Sequence, residues 1–300
     1  MPEAAKLETI YSAVEETSRL VDAPCSREKV WPALDTFGKW LGDDAHIIFS
    51  MGTGERYRGE LAFDFTLPTE TGDPYAAAVA GGLLDKTDHA ITGLFPEIRD
   101  RFPVDAYAVD FGVVGGFRKA VTFFPLAKPQ SMKALAELPS MPPGLAEHAD
   151  SFAGAGLDGK VSAIGVDYRS RSWNLYISGL TSEYTRPDAI VPTLRGMGLP
   201  EPSEHMLEFI GTSYAMYPTF GWDTTRIERM CFSTRTSDPD LLPSRIAPEV
   251  GKFARDMPTV HGGDPTYVYA GTVARGEEFF KLASYYQMSS QVSDRVRPAD

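Results

Sequence analysis

A charged side chain in the middle of a β-strand constrains this chain more than any other feature. In GGFRKAVTFFP (residues 115–125), Lys119 interrupts an apolar run. TRIERMCFS (225–233) carries Arg229, EEFFKLASYY (277–286) carries Lys281, and SRSWNLYIS (170–178) carries Asn174. Such a group is costly in mid-strand unless it faces water or a ligand. Period-two alternation separates the faces. In residues 60–67, Leu61, Phe63, Phe65 and Leu67 oppose Glu60, Ala62, Asp64 and Thr66; in 172–177, Trp173, Leu175 and Ile177 oppose Ser172, Asn174 and Tyr176. In 229–233, Met230 and Phe232 oppose Arg229, Cys231 and Ser233. The pattern suggests a closed sheet with a polar interior, a container for something anionic. Periodicity alone fits equally well a two-layer α+β sandwich whose polar faces are wet.

Hairpin centres fall near residues 54, 115, 170, 222 and 274, a repeat of roughly 50–60 residues. Strand pairs are predicted at 45–51 with 59–68, 104–113 with 117–125, 160–168 with 172–179, 212–220 with 226–236, and 266–273 with 277–286. Helical periodicity marks 4–20, 27–41, 74–84, 88–102, 132–138, 143–155, 188–197, 203–209 and 248–256, with Ser26 as a cap for the second helix. Each unit reads helix, strand, strand, helix. No Pro- or Ser-rich linker divides the 300 residues, so a single domain over 1–300 is expected.

The net charge of −12 disfavours nucleic acid and anionic membranes as partners. It leaves room for a small anionic ligand held by a local cluster of cations. Two cysteines, Cys25 and Cys231, build no disulfide framework. The acidic start and the absence of a long apolar run give no secretory or membrane signal, so a cytoplasmic location and a monomer are expected.

GDPYA (72–76), GGFRKAVTFFP (115–125), LPSMPP (138–143), NLY (174–176), YPT (217–219) and KLASYY (281–286) share order and spacing with one family. Across nearly its whole length the chain resembles the soluble bacterial aromatic prenyltransferases of the ABBA type, nearest to the hydroxynaphthalene-prenylating group. The resemblance implies an α+β fold: a ten-stranded antiparallel closed barrel of five αββα repeats, with helices outside and a solvent-accessible lumen. It also implies transfer of a dimethylallyl or geranyl group from its diphosphate to an electron-rich aromatic acceptor of the hydroxynaphthalene type. A phenazine or indole acceptor, and a non-catalytic barrel that only binds such molecules, are the competing readings.

The same resemblance assigns Lys119, Arg229 and Lys281 to catalysis and, with Asn174 and Tyr217, to the diphosphate. Tyr176 and Tyr285 are implied in an aromatic wall, and Val121, Ser162, Ala163, Tyr214 and Val268 in the acceptor pocket. Ser162 and Val121 are smaller than the family's usual residues and imply a roomier pocket. Strict alternation sets Tyr214 opposite to Tyr217.

Two positions depart from that group. Ala62 replaces a Mg²⁺-binding Asp, with Asp64 two residues on as a substitute ligand and Asp110 as a weaker one. Ser170 replaces a diphosphate lysine, and its neighbours Arg169 and Arg171 are expected to point outward. No cofactor is therefore expected, and activity without Mg²⁺. The DDxxD signature of metal-cluster prenyltransferases is absent, since Asp43 and Asp44 precede Ala45 and His46. GVVGGFRK lacks the GK[ST] of a phosphate-binding loop and reads as a hairpin turn, and the HGGD at 261–264 reads as a loop. The five histidines show no zinc spacing.

Overall fold

The alternating strands close on themselves. In the computed structural model, which describes residues 3–42, 45–260 and 265–288, ten strands form one antiparallel barrel. They are β1 (Ile47–Gly52), β2 (Ala62–Leu67), β3 (Ala106–Gly112), β4 (Gly116–Phe123) and β5 (Val161–Asp167). β6 (Ser172–Ser178), β7 (Ala215–Gly221), β8 (Ile227–Thr236), β9 (Tyr267–Ala274) and β10 (Glu277–Gln287) follow. Each strand pairs with its neighbours in sequence, and β10 returns to β1, with Phe49 opposite Ser284. Closure removes both sheet edges. The sandwich alternative, with its open edges, does not form. The motifs at 43–44 and 261–264 lie outside the described residues.

The apolar sets of the alternating strands face outward into the main core. Phe63 stacks on Phe111 at 5.3 Å between ring centroids, and Trp173 on Phe220 at 4.6 Å. Helices cover them. Arg27–Phe37 supplies Val30, Leu34 and Phe37, and Phe37 meets Phe65 edge-on at 5.9 Å. Pro248–Asp256 turns Val250 and Phe253 inward. Gly271 lets the Glu204–Ile210 helix approach β9 closely, because a Cβ there would sit 2.6 Å from Phe209 Cδ1. At an approximate 25 cal/mol per Å² of apolar area, this belt is the largest favourable contribution to the fold.

Several boundaries differ from the sequence reading. Ser26 occupies the N-cap position of Arg27–Phe37, yet its side chain makes no capping bond. The predicted helix at 74–84 ends at Ala80, where Gly81 and Gly82 follow and Gly82 takes φ +68°. A short helix, Leu242–Ile246, carries no clear periodicity in sequence. Among the described residues no helix is long and apolar enough to cross a membrane.

Four bulges interrupt the alternation: one lies at the β1–β10 seam, where Ile47 pairs with Gln287 but Ile48 with Tyr285, and three lie between β3 and β8. In β4, Asp110 pairs with Lys119 but Phe111 with Phe117, so Arg118 is the extra residue. In β5, Val161 pairs with Ile177 but Ala163 with Tyr176, so Ser162 is extra. In β8, Thr219 pairs with Arg229 but Phe220 with Ile227, so Glu228 is extra. A bulge lets two successive side chains share one side of a strand.

Candidate active site

The inward faces surround a cavity of about 550 Å³ that opens at one end of the barrel. Lys119, Asn174, Tyr176, Tyr217, Arg229, Val268 and Lys281 all line it. They come from six strands, and the register explains why they meet. Gly165, Asn174, Thr219 and Arg229 are successive cross-strand neighbours from β5 to β8. On the other side, Asp64, Asp110 and Lys119 form a row across β2, β3 and β4.

Lys119 is the best-defined member. Its Nζ donates to Tyr176 Oη at 2.8 Å and lies 5.2 Å from the centre of that ring. Gly165 makes the space: a Cβ there would fall 2.6 Å from Lys119 Cε and 3.2 Å from Tyr176 Cε2. Burial lowers the Lys119 pKa, while the Asp110 and Asp167 carboxylates oppose that shift. Arg229 is lowered by burial and then by the charge of Arg56 at the mouth. A cation held in a water-poor site under this strain gains from an incoming anion. Asn174 Nδ2 reaches Thr219 Oγ1 at 3.4 Å. The Tyr176 and Tyr217 rings lie 4.6 Å apart, and burial raises both phenols.

Arg118 was not legible as an inward residue, because alternation with Lys119 sends it outside. The bulge brings it in, where it lines the cavity and grips Asp110 through Nε at 3.2 Å and Nη2 at 2.8 and 3.0 Å. Burial favours a neutral Asp110, yet Arg118 holds its carboxyl below the usual range. Asp64, opposite, is pushed up by burial and by the Asp110 charge. Arg169 also corrects the sequence reading: it lines the cavity rather than pointing outward. Arg171 does point out, with φ +51°, its guanidinium 5.4 Å from the centre of the Trp222 ring. Ser170 lines the cavity and bonds Ser172 Oγ at 2.7 Å. Glu60 ties down the 113–115 turn by accepting from the backbone of Val114 and Gly115, both at 3.0 Å.

Val121, Ala163, Ser162, Tyr214 and Tyr285 do not line the cavity; they lie beyond it. Val121 and Ala163 join Ala108, Phe123 and Tyr176 in a small apolar cluster separate from the main core. Ser162 is turned by its bulge to bond Ser178 Oγ at 2.8 Å. Tyr214 precedes β7 and is not bound by its alternation; its phenol is near enough to Tyr217 to help raise that phenol's pKa, after burial, and so lies on the same side, contrary to strict alternation. Tyr285 meets His46 edge-on at 5.9 Å.

The donor set suits a metal poorly. Position 62 offers a methyl group, and Asp110 has both oxygens on Arg118, so Asp64 is the carboxylate left for an ion at that spot. Among the described residues no group of three His, Cys, Asp or Glu side chains is placed to share a metal.

The closed barrel thus sets cations beside tyrosines in one lumen. The model of the family described as "Aromatic prenyltransferase Orf2" aligns with residues 5–295. The chain belongs to this aromatic prenyltransferase family. Three relatives accord with it. The 5,10-dihydrophenazine-1-carboxylate 9-dimethylallyltransferase of Streptomyces anulatus is 42% identical over 300 residues, covering 100% of this chain and 99% of the relative. The flaviolin linalyltransferase of Streptomyces virginiae is 42% identical over 288 residues, covering 96% and 94%. The furaquinocin biosynthesis prenyltransferase of Streptomyces sp. (strain KO-3988) is 38% identical over 288 residues, covering 96% and 92%. In this aromatic prenyltransferase the lumen brings three cations, Lys119, Arg229 and Lys281, together with the tyrosine faces of Tyr176 and Tyr217.

Proposed function

We propose that this enzyme moves a dimethylallyl or geranyl group from its diphosphate to an aromatic carbon of a hydroxynaphthalene- or phenazine-type acceptor. The observation that carries the reading is the shared lining of one cavity by Lys119, Arg229 and Lys281 beside the Tyr176–Tyr217 ring pair. An allylic diphosphate carries about three negative charges, and breaking its C1–O bond places more on the leaving group. Three preorganised cations, with Asn174 and Tyr217 as hydrogen-bond partners, would stabilise that charge, usually the largest catalytic contribution.

The allylic cation left behind needs electron-rich walls and no water. Each tyrosine face contributes roughly 0.5–2 kcal/mol to a nearby cation. The acceptor ring stacks against the prenyl chain, attacks C1 and then loses its ring proton, which attack has made acidic. Much of the rate comes from holding the two reactants in line. Val121, Ala163, Ser162, Tyr214, Tyr285 and Val268 would shape the acceptor end.

We propose that the reaction proceeds without Mg²⁺. Ala62 offers no ligand, Arg118 occupies both oxygens of Asp110, and Lys119, Arg229 and Lys281 would supply the positive charge. One chain closes the lumen by itself, which supports a monomer as the working unit.

The test is incubation with dimethylallyl and geranyl diphosphates against hydroxynaphthalenes and phenazines, with mass spectrometry and diphosphate release as readouts. Prenylated product in excess EDTA supports the reading. Binding of both substrates without release of diphosphate would leave only the non-catalytic barrel, and turnover that requires added Mg²⁺ would overturn the metal-free step.

A further inference from the structure

A second cavity, of about 490 Å³, lies against the mouth of the lumen. It is set among three of the turns that ring the mouth, at 53–61, 222–226 and 275–276. Four arginines line it: Arg56, Arg226, Arg229 and Arg275. Glu228 and Glu277 are the carboxylates in its wall. Glu228, the bulge residue of β8, lies 4.0 Å from Arg229. Among the described residues, Arg56, Arg226 and Arg275 form no ion pair. Four cations beside two carboxylates leave a local surplus of positive charge on a chain of net charge −12. Arg56 and Arg229 line this cavity and the lumen alike, so they form the wall between the two.

We propose that this cavity is an outer diphosphate site, which captures the prenyl diphosphate before it enters the lumen. The role rests on the prenyltransferase reading and adds a binding step ahead of the chemistry. At long range a chain of net charge −12 repels a donor that carries about three negative charges. A cluster of guanidinium groups reverses that field over roughly a Debye length, about 8 Å at physiological salt. Guanidinium forks suit a diphosphate, because each can bond two of its oxygens in parallel. Arg229 carries the transfer. It faces both cavities, so a diphosphate can pass inward to Lys119 and Lys281 without leaving it. No aromatic side chain among the described residues lines the outer cavity, whereas Tyr176 and Tyr217 line the lumen. The outer site therefore binds the donor, and the inner one ionises it.

The experiment uses Arg226→Gln/Arg275→Gln, two exposed positions in the turns. Its kcat/KM for dimethylallyl diphosphate should fall about tenfold, mainly through KM, and should depend less on ionic strength than that of the wild type. Arg245→Gln/Arg255→Gln removes the same charge from the helices Leu242–Ile246 and Pro248–Asp256, which join the ends of β8 and β9 remote from the mouth, and should keep the wild-type KM. An unchanged donor KM in the first variant, or an equal rise in the second, overturns the outer site. Calorimetric titration with inorganic diphosphate needs no turnover. The wild type should bind two per chain, and Arg226→Gln/Arg275→Gln one. Equal stoichiometry in the two proteins overturns the outer site and leaves the prenyltransferase reading intact. A lost second site in a chain that prenylates no acceptor supports the outer diphosphate site and overturns the catalytic reading alone.

Discussion

Near the mouth of the lumen, Lys119, Arg118, Arg229 and Lys281 stand among Asp110, Asp167, Asn174 and Thr219. Two residues along β4 and β5 from Lys119 and Gly165, the same inward faces carry Val121 and Ala163, packed with Ala108, Phe123 and Tyr176. The backbone is equivalent in both regions, and the difference lies in what each can accommodate without a ligand. The polar end compensates its own charges in part, through Arg118 on Asp110 and Lys119 on Tyr176. The apolar end needs no partner at all. A site built this way is strained where charge develops and indifferent where shape is selected.

Four changes sharpen or break that contrast. The largest effect is on stability. Arg118→Leu leaves the buried Asp110 carboxylate without its partner and should cost about 3–5 kcal/mol, lowering Tm by roughly 10 °C in a thermal melt. The double variant with Asp110→Leu should recover most of that loss; no recovery would mean that the pair is not coupled. Next comes Lys119→Ala, which should reduce kcat/KM for the prenyl diphosphate roughly 100- to 1,000-fold. Near-normal kcat/KM in that variant would deny the polar end its role.

Third is a pH effect. Burial and the neighbouring Asp110 raise Asp64 from its ordinary 3.8 to about 7. A carboxyl whose native pKa exceeds its unfolded value binds its proton more tightly when folded. The contribution of Asp64 to stability is therefore fully present below about pH 4 and is lost as pH rises through about 7. Asp64→Asn should remove that decline, gaining on the order of 2 kcal/mol at pH 8 relative to pH 4 in denaturant titrations. A decline of the same slope in the variant would place the titrating group elsewhere. The smallest change is Tyr176→Phe, which removes one hydrogen bond to a charged Lys119 and keeps the ring. It should lower kcat/KM about tenfold, and replacement by Leu, which also removes the π face, should cost more.

The contrast between the two regions also explains what could be read from sequence. Asp64, Asn174, Tyr176, Arg229 and Lys281 were legible because each interrupts an apolar alternation, and alternation holds wherever the ladder is regular. Closure into a barrel was not legible from periodicity, since a wet open sheet has the same pattern; motif order decided it. Arg118 escaped because it is a bulge residue, and one extra residue reverses every inference of facing. Tyr214 lies before β7, where the alternation has not begun. Arg169 belongs to a turn, so no strand period governs it. Gly165 carries no side chain to attract notice, yet it makes the space for Lys119.

The division of the lumen is tested most directly by a crystal structure with the unreactive donor dimethylallyl S-thiodiphosphate. The account predicts phosphate oxygens within hydrogen-bond distance of Lys119, Arg229 and Lys281, with the prenyl tail lying along Tyr176 and Tyr217. A diphosphate seated away from those three cations, or a tail directed out through the mouth, would contradict it.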